Sequence, residues 1–126
     1  LKVSDIMRTG NRFARVTGET KVKDVLLEIT KTRCGSACVV DKSGKILGFF
    51  TDGDLRRHLE EDSQLLTRKV KDVMTAKPMT IRHDRLAAEA FDILKERRFD
   101  ELPVVDQKGK LVGLLDVQDL LKAGLV

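Results

Sequence analysis

Apolar positions along the chain follow two rhythms, and each rhythm occurs twice. Val22, Val25, Leu26 and Ile29 recur at i, i+3, i+4 and i+7, as do Ala87, Ala90, Phe91 and Leu94. That spacing lines one face of an α-helix, so a helix is expected in each stretch, with Thr20 and Asp84 as N-caps. The other rhythm is short and almost continuously apolar: Ala37-Cys-Val-Val40, then Ile46-Leu-Gly-Phe-Phe50. Runs of this kind predict strands buried on both faces. The turn between them, Asp41-Lys-Ser-Gly44, has its counterpart in Asp106-Gln-Lys-Gly109, with a glycine free to take positive φ. Extended segments are expected before each helix, from Phe13 to Val16 and from Met79 to Ile81. Further helices are expected from near Asp52 and Val117.

The element order is therefore β-α-β-β-α, twice, and the residues themselves repeat. Val39-Val-Asp-Lys-Ser-Gly-Lys-Ile-Leu-Gly48 and Val104-Val-Asp-Gln-Lys-Gly-Lys-Leu-Val-Gly113 share six of ten positions. Upstream, Val3-Ser-Asp-Ile-Met7 matches Val70-Lys-Asp-Val-Met74. Two copies are too few for a solenoid and suit a pseudo-symmetric pair sharing a core. The expected class is α+β, with one repeat over 3–59, a polar linker over 60–69 and a second repeat over 70–126.

Composition narrows the picture. Of the 126 residues, 41% are hydrophobic and 35% charged, which argues against disorder. No apolar run nears the ~20 residues of a membrane span and no secretory leader opens the chain, so a cytoplasmic protein is expected. Cys34 and Cys38 lack a second ligand cluster and read as buried thiols. The formal charge of +4 raises nucleic acid as a partner, but charges are interspersed and there is no Trp or Tyr, so no nucleic-acid partner is expected. No catalytic constellation is visible.

Candidate chemistry concentrates in Gly48-Phe-Phe-Thr-Asp-Gly-Asp-Leu-Arg-Arg57. A strand ending at Thr51 and a helix opening at Asp52 would expose helix N–H groups and a positive dipole end to an anion. Thr51 adds a hydroxyl, Gly53 permits close backbone approach, and the carboxylate of Asp54 can accept from both hydroxyls of a ribose. The bland alternative is a capped helix: Thr51 or Asp52 as cap, Asp54 favouring the dipole, Arg56, Arg57 and His58 solvated. A calcium loop does not fit, because no further oxygen ligands follow. In the second copy Asp119 matches Asp54, but Asp116 stands where Thr51 would be. Two like charges about 5 Å apart near a surface cleft repel by roughly 3 kcal/mol at an effective dielectric near 20, against about 0.3–1 kcal/mol, at most about 2, returned by the helix end. The two corners are expected to be inequivalent, with phosphate preferring the Thr51 side.

The Asp-hydrophobic-Met segments, "VVD" (39–41), "LPVVD" (102–106) and the Gly-x-x-Thr-x-x-Asp run (48–54) resemble the tandem CBS domain over essentially the whole chain. More narrowly, 48–59 and 100–126 are similar to the C-terminal part of bacterial arabinose 5-phosphate isomerases. The resemblance implies a module excised from a parent with an N-terminal sugar-isomerase domain, itself not an enzyme. It also implies a ligand cleft between repeats: Thr51 and Asp54 hold ribose and phosphate, with Gly35, Ser36 and Phe49 alongside. Ala90, Phe99 and Asp100 would come from the other copy, each with a bland alternative as core or turn. No cofactor is required. The implied regulatory ligand is a nucleotide or nucleotide sugar, CMP-Kdo or AMP, ADP and ATP, and the implied assembly a homodimer of CBS pairs.

Overall fold

The computed structural model describes residues 1–124; the last two positions of the expected second repeat, 125 and 126, lie outside the described residues. The chain divides into two compact units. One is Asn11–Pro78; the other joins Leu1–Gly10 to the stretch from Met79 onward.

In the Asn11–Pro78 unit the elements run β1 (Ala14–Thr17), α1 (Val22–Thr32), β2 (Ser36–Val40), β3 (Ile46–Thr51), α2 (Asp52–Glu61) and β4 (Thr75–Ala76). β1 lies parallel to β2, and β2 and β3 form an antiparallel hairpin edged by β4. The other unit repeats the plan with β5 (Ile81–Arg82), α3 (Ala87–Arg97), β6 (Glu101–Val105), β7 (Leu111–Asp116) and α4 (Val117–Lys122). Its sheet has the same order and sense, β5-β6-β7.

Each Asp-hydrophobic-Met segment is built into the unit that holds the other repeat's sheet. Val70–Asp72 makes a 3-10 turn with Val70 fully buried, then runs into β4 beside β3. Val3–Asp5 makes the matching turn, and Arg8 pairs with Leu114 of β7 through Arg8 N to Leu114 O (2.8 Å) and Leu114 N to Arg8 O (3.0 Å). Two glycines make room for this edge. A Cβ on Gly48 would collide with Sδ, Cε and Cγ of Met74; one on Gly113 would meet Met7 Sδ at 2.7 Å and the Arg8 carbonyl at 2.8 Å.

The helix starts differ from expectation. α1 begins after Lys21 and α3 after Leu86, so neither Thr20 nor Asp84 is the cap. Backbone carbonyls brought in from far along the chain satisfy the first turns instead: Val22 N donates to Arg68 O (2.9 Å) and Ala87 N to Leu1 O (2.8 Å). A helix whose orphan donors already have partners does not need a side-chain cap.

Both hairpin turns close as expected. Gly44 and Gly109 take φ of +88° and +82°. Asp41 Oδ1 accepts from Ser43 N, Ser43 Oγ and Lys45 N, and Asp106 Oδ1 from Lys108 N and Lys110 N. These bonds, led by the Ser43 hydroxyl for Asp41 and by Lys110 N for Asp106, hold both carboxyls below the ordinary range.

Every residue of β2 and β6 is buried, matching the continuous apolar runs. In the first unit one core gathers Val16, Val22, Val25, Ile29, Val39 and Phe50; in the second, Leu94, Leu102, Val104, Leu115 and Leu120 do the same. Each such side chain contributes about 1.5–3 kcal/mol by leaving water. The stretch 60–69 is more than a polar connection: α2 reaches Glu61, and Leu65 is fully buried in the first core.

Candidate functional site at the Thr51 corner

The end of β3 and the start of β2 meet where α2 begins. Ser36 pairs with Thr51 across the hairpin, and Asp52 N donates to Gly35 O at 3.1 Å. Strand alternation puts Ala37, Val39 and Phe50 on the α1 side, and Ser36, Cys38, Phe49 and Thr51 on the opposite face. Four of the expected residues, Gly35, Ser36, Phe49 and Thr51, thus belong to one corner. Asp52 and Gly53, both exposed, open the helix beside them.

Thr51 and Asp54 close on each other. Thr51 Oγ1 accepts from Asp54 N (3.2 Å), while Asp54 Oδ2 accepts from Thr51 N (3.0 Å) and from Thr51 Oγ1 (3.2 Å). This is a capping box with Asp at its third position, and Thr-x-x-Asp is a sequence signal for it. Asp54 Oδ1 receives the Arg57 guanidinium and, at 3.4 Å, the hydroxyl of Thr75. The Asp54 carboxylate is 5% exposed and surrounded by donors. Arg57 is held there from a largely exposed position, while Arg56 lies in solvent and His58 is half-buried on α2.

One polar atom at this corner differs from the rest. The Ser36 side chain is fully buried, and its Oγ has no hydrogen-bond partner among the described residues. Leaving a buried hydroxyl unmatched costs on the order of 1–3 kcal/mol.

The matching corner of the other unit carries a different chemistry. There Asp100 precedes β6, its first residue Glu101 pairs with Asp116, and Val117 N donates to Asp100 O at 2.9 Å. Asp116 caps α4 through Gln118 N (2.8 Å). Arg8, which the sequence reading did not include, reaches both carboxylates here. Its Nε donates to Asp119 Oδ2 at 2.8 Å, its NH2 lies 3.4 Å from Asp119 Oδ1 and 3.7 Å from Asp116 Oδ2. Each contact is worth about 4 kcal/mol of attraction at an effective dielectric near 20.

The remaining expected residues sit in this second unit. Ala90 is fully buried in its core, whereas Phe99 and Asp100 are exposed between α3 and β6. Arg8 and Thr75 were not singled out from sequence. Aligning the two Asp-hydrophobic-Met segments one residue further, Met7-Arg8 against Met74-Thr75, places them at one position. Cys34 and Cys38 are buried, and the Cys34 thiol donates to Arg12 O at 3.3 Å. Among the described residues no helix is long and apolar enough to cross a membrane.

The duplicated β-α-β-β-α plan, with a strand-to-helix corner in each unit, defines a class of protein. A family model for the CBS domain matches residues 3–61 and 70–126, and the chain belongs to that family as a tandem pair. Over 126 residues it is 39% identical to the arabinose 5-phosphate isomerase KdsD of Pseudomonas aeruginosa, and over 125 residues 37% identical to the arabinose 5-phosphate isomerase GutQ of Escherichia coli. The alignments take in 100% and 99% of this chain but 39% of each relative, so the chain spans about two-fifths of the curated relatives it matches. Among solved structures, CBSX2 in complex with AMP is 29% identical, with a TM-score of 0.85 over 98% of this chain and 96% of that one. CBSX2 from Arabidopsis thaliana is 27% identical, with a TM-score of 0.83 over 98% and 94%.

Proposed function

We propose that the chain is the regulatory, nucleotide-binding CBS pair of an arabinose 5-phosphate isomerase. The parent would interconvert ribulose 5-phosphate and arabinose 5-phosphate, feeding synthesis of Kdo, the acidic sugar of lipopolysaccharide or capsule. The parent activity is supported by the isomerases that match the whole of this chain. The observation that carries ligand binding is the buried, unmatched Ser36 hydroxyl beside Gly35, Thr51 and the open start of α2. A ligand oxygen there would gain a donor that the fold leaves unused, at the positive end of the α2 dipole. The AMP complex of a 29% identical relative supports an adenine nucleotide as the first ligand to try. CMP-Kdo, as a nucleotide sugar made from the pathway's product, is the feedback candidate. Either would shift the attached enzyme only by its difference in affinity between two states of the pair.

Titration calorimetry of the chain with AMP, ADP, ATP, CMP and CMP-Kdo tests this. Binding at millimolar concentration or tighter is expected for at least one. Ser36→Ala should weaken it about fivefold to tenfold, the scale of one neutral hydrogen bond. Silence across the panel rejects the reading.

One observation favours a second reading, an architectural pair that works without ligand: Thr51 and Asp54 already satisfy each other. Exposed Leu27, Leu59 and Leu121 on α1, α2 and α4 offer apolar surface for assembly into a homodimer. Thermal unfolding separates the two. A nucleotide at a hundred times its Kd stabilises by about 2.7 kcal/mol, or roughly 10 °C for a chain of this size; a scaffold shows no shift.

A further inference from the structure

The corner built on Asp119 is not a second copy of the Thr51 corner. Five positions correspond between the units: Gly35 with Asp100, Ser36 with Glu101, Thr51 with Asp116, Asp54 with Asp119, and Thr75 with Arg8. One set carries a single carboxylate among small and hydroxyl residues. The other carries four carboxylates and one guanidinium. Such a set repels a phosphate and holds a cation, and the fold supplies one from its own chain. Arg8 meets Asp119 edge-on with Nε and NH2 and reaches Asp116 with the same NH2. The three side chains are only 12–15% exposed. Arg8 is also fixed from behind, its backbone N–H and carbonyl both bonded to Leu114, with Gly113 pressed against Met7 and the Arg8 carbonyl. Arg8 is thus a cation that this acidic set receives, through Asp119 and Asp116.

We infer that Arg8 is a built-in occupant of the Asp119 corner, closing it to nucleotides so that the pair takes its ligand at the Thr51 corner alone. The one-ligand consequence rests on the nucleotide reading above; the occupancy of the corner by Arg8 does not. Arg8, itself only 15% exposed, spans both oxygens of Asp119 and so holds the carboxylate that a ribose diol would require, whereas Arg57 reaches a single oxygen of Asp54 from a side chain 61% exposed. A nucleotide would have to expel Arg8 and leave Asp116 and Asp119 unneutralised beside its phosphate.

Calorimetry with AMP, together with 15N NMR of the Arg8 Nε–H, tests the inference. The expected results are one AMP per chain and an Nε–H signal protected from exchange that persists at saturating AMP. The Thr51→Ala/Asp54→Ala variant should lose AMP affinity about a hundredfold or more, with no residual site. Giving three positions of the second set the residues of the first, in Arg8→Thr/Glu101→Ser/Asp116→Thr, should admit a second AMP. Two AMP per unaltered chain, loss of the Nε–H signal on AMP addition, or a folded triple variant that still takes one AMP overturns the inference. No AMP binding with a protected Nε–H rejects the nucleotide reading and supports Arg8 as occupant. An unprotected Nε–H in the free chain rejects Arg8 as occupant whether or not AMP binds. Should the triple variant not fold, the Nε–H of the unaltered chain decides the outcome.

Discussion

Gly113→Ala and Gly48→Ala provide the sharpest test of how the lead-in segments hold to the sheets. Neither glycine has positive φ, so backbone conformation does not demand them; close approach does. In an open strand, alanine would gain about 0.5–1 kcal/mol over glycine by restricting the unfolded chain. At Gly48 the added methyl overlaps only the Met74 side chain, which is half-buried and can rotate away. At Gly113 it also meets the Arg8 carbonyl at 2.8 Å, and moving that atom breaks the Arg8–Leu114 pair and drags the Asp119 ion pair with it. Overpacking costs typically about 1–3 kcal/mol. We expect Gly48→Ala near the low end, after subtracting the entropy gain, and Gly113→Ala near the high end. At about 4 °C per kcal/mol for this chain length, and with the same gain subtracted at both sites, the midpoints should fall by roughly 0–2 °C and 8–10 °C. Adding Met74→Ala should relieve most of the Gly48→Ala penalty in a double-mutant cycle, whereas Met7→Ala should relieve only part of that at Gly113. Equal losses at the two sites, or full relief by Met7→Ala, would refute close approach of the Arg8 backbone as the cause.

Leu65→Ala, within the stretch that reads as a linker, should cost about 2–5 kcal/mol by chemical denaturation, as for a core leucine; a loss below 1 would remove it from the core. Thr51→Ala should cost about 1 kcal/mol through loss of the helix cap while Thr51→Ser stays near neutral, and equal losses would place the cost in the lost methyl. Acid should destabilise the chain through several exposed or half-buried carboxylates. Lys69, then Lys71, holds Glu19 from its ordinary 4.5 down to about 2, and Arg68 and Arg85 lower Asp62 and Glu89. A depressed carboxyl stabilises above its unfolded value, so the contribution of Glu19 is whole above pH 4.5 and lost toward pH 2. The unfolding midpoint of Glu19→Gln should therefore fall less across that window than that of the unaltered chain; parallel curves would remove Glu19 from the acid response.

Periodicity by itself determined the β-α-β-β-α plan, its duplication, both hairpin turns and the strand-to-helix joint at Thr51. Those features are local: they follow from side-chain alternation, glycine at a positive-φ turn and residues within a few positions of each other. Tertiary structure decided where partners come from. Thr20 and Asp84 looked like caps, yet Arg68 and Leu1 supply the carbonyls, because a backbone oxygen carries no residue identity to read. Asp116 and Asp119 showed no cationic partner nearby in sequence, yet Arg8 reaches both, from 111 residues before Asp119. An electrostatic balance set by charges only a few ångströms apart depends on which segments the fold brings together, and no spacing along the chain contains that distance.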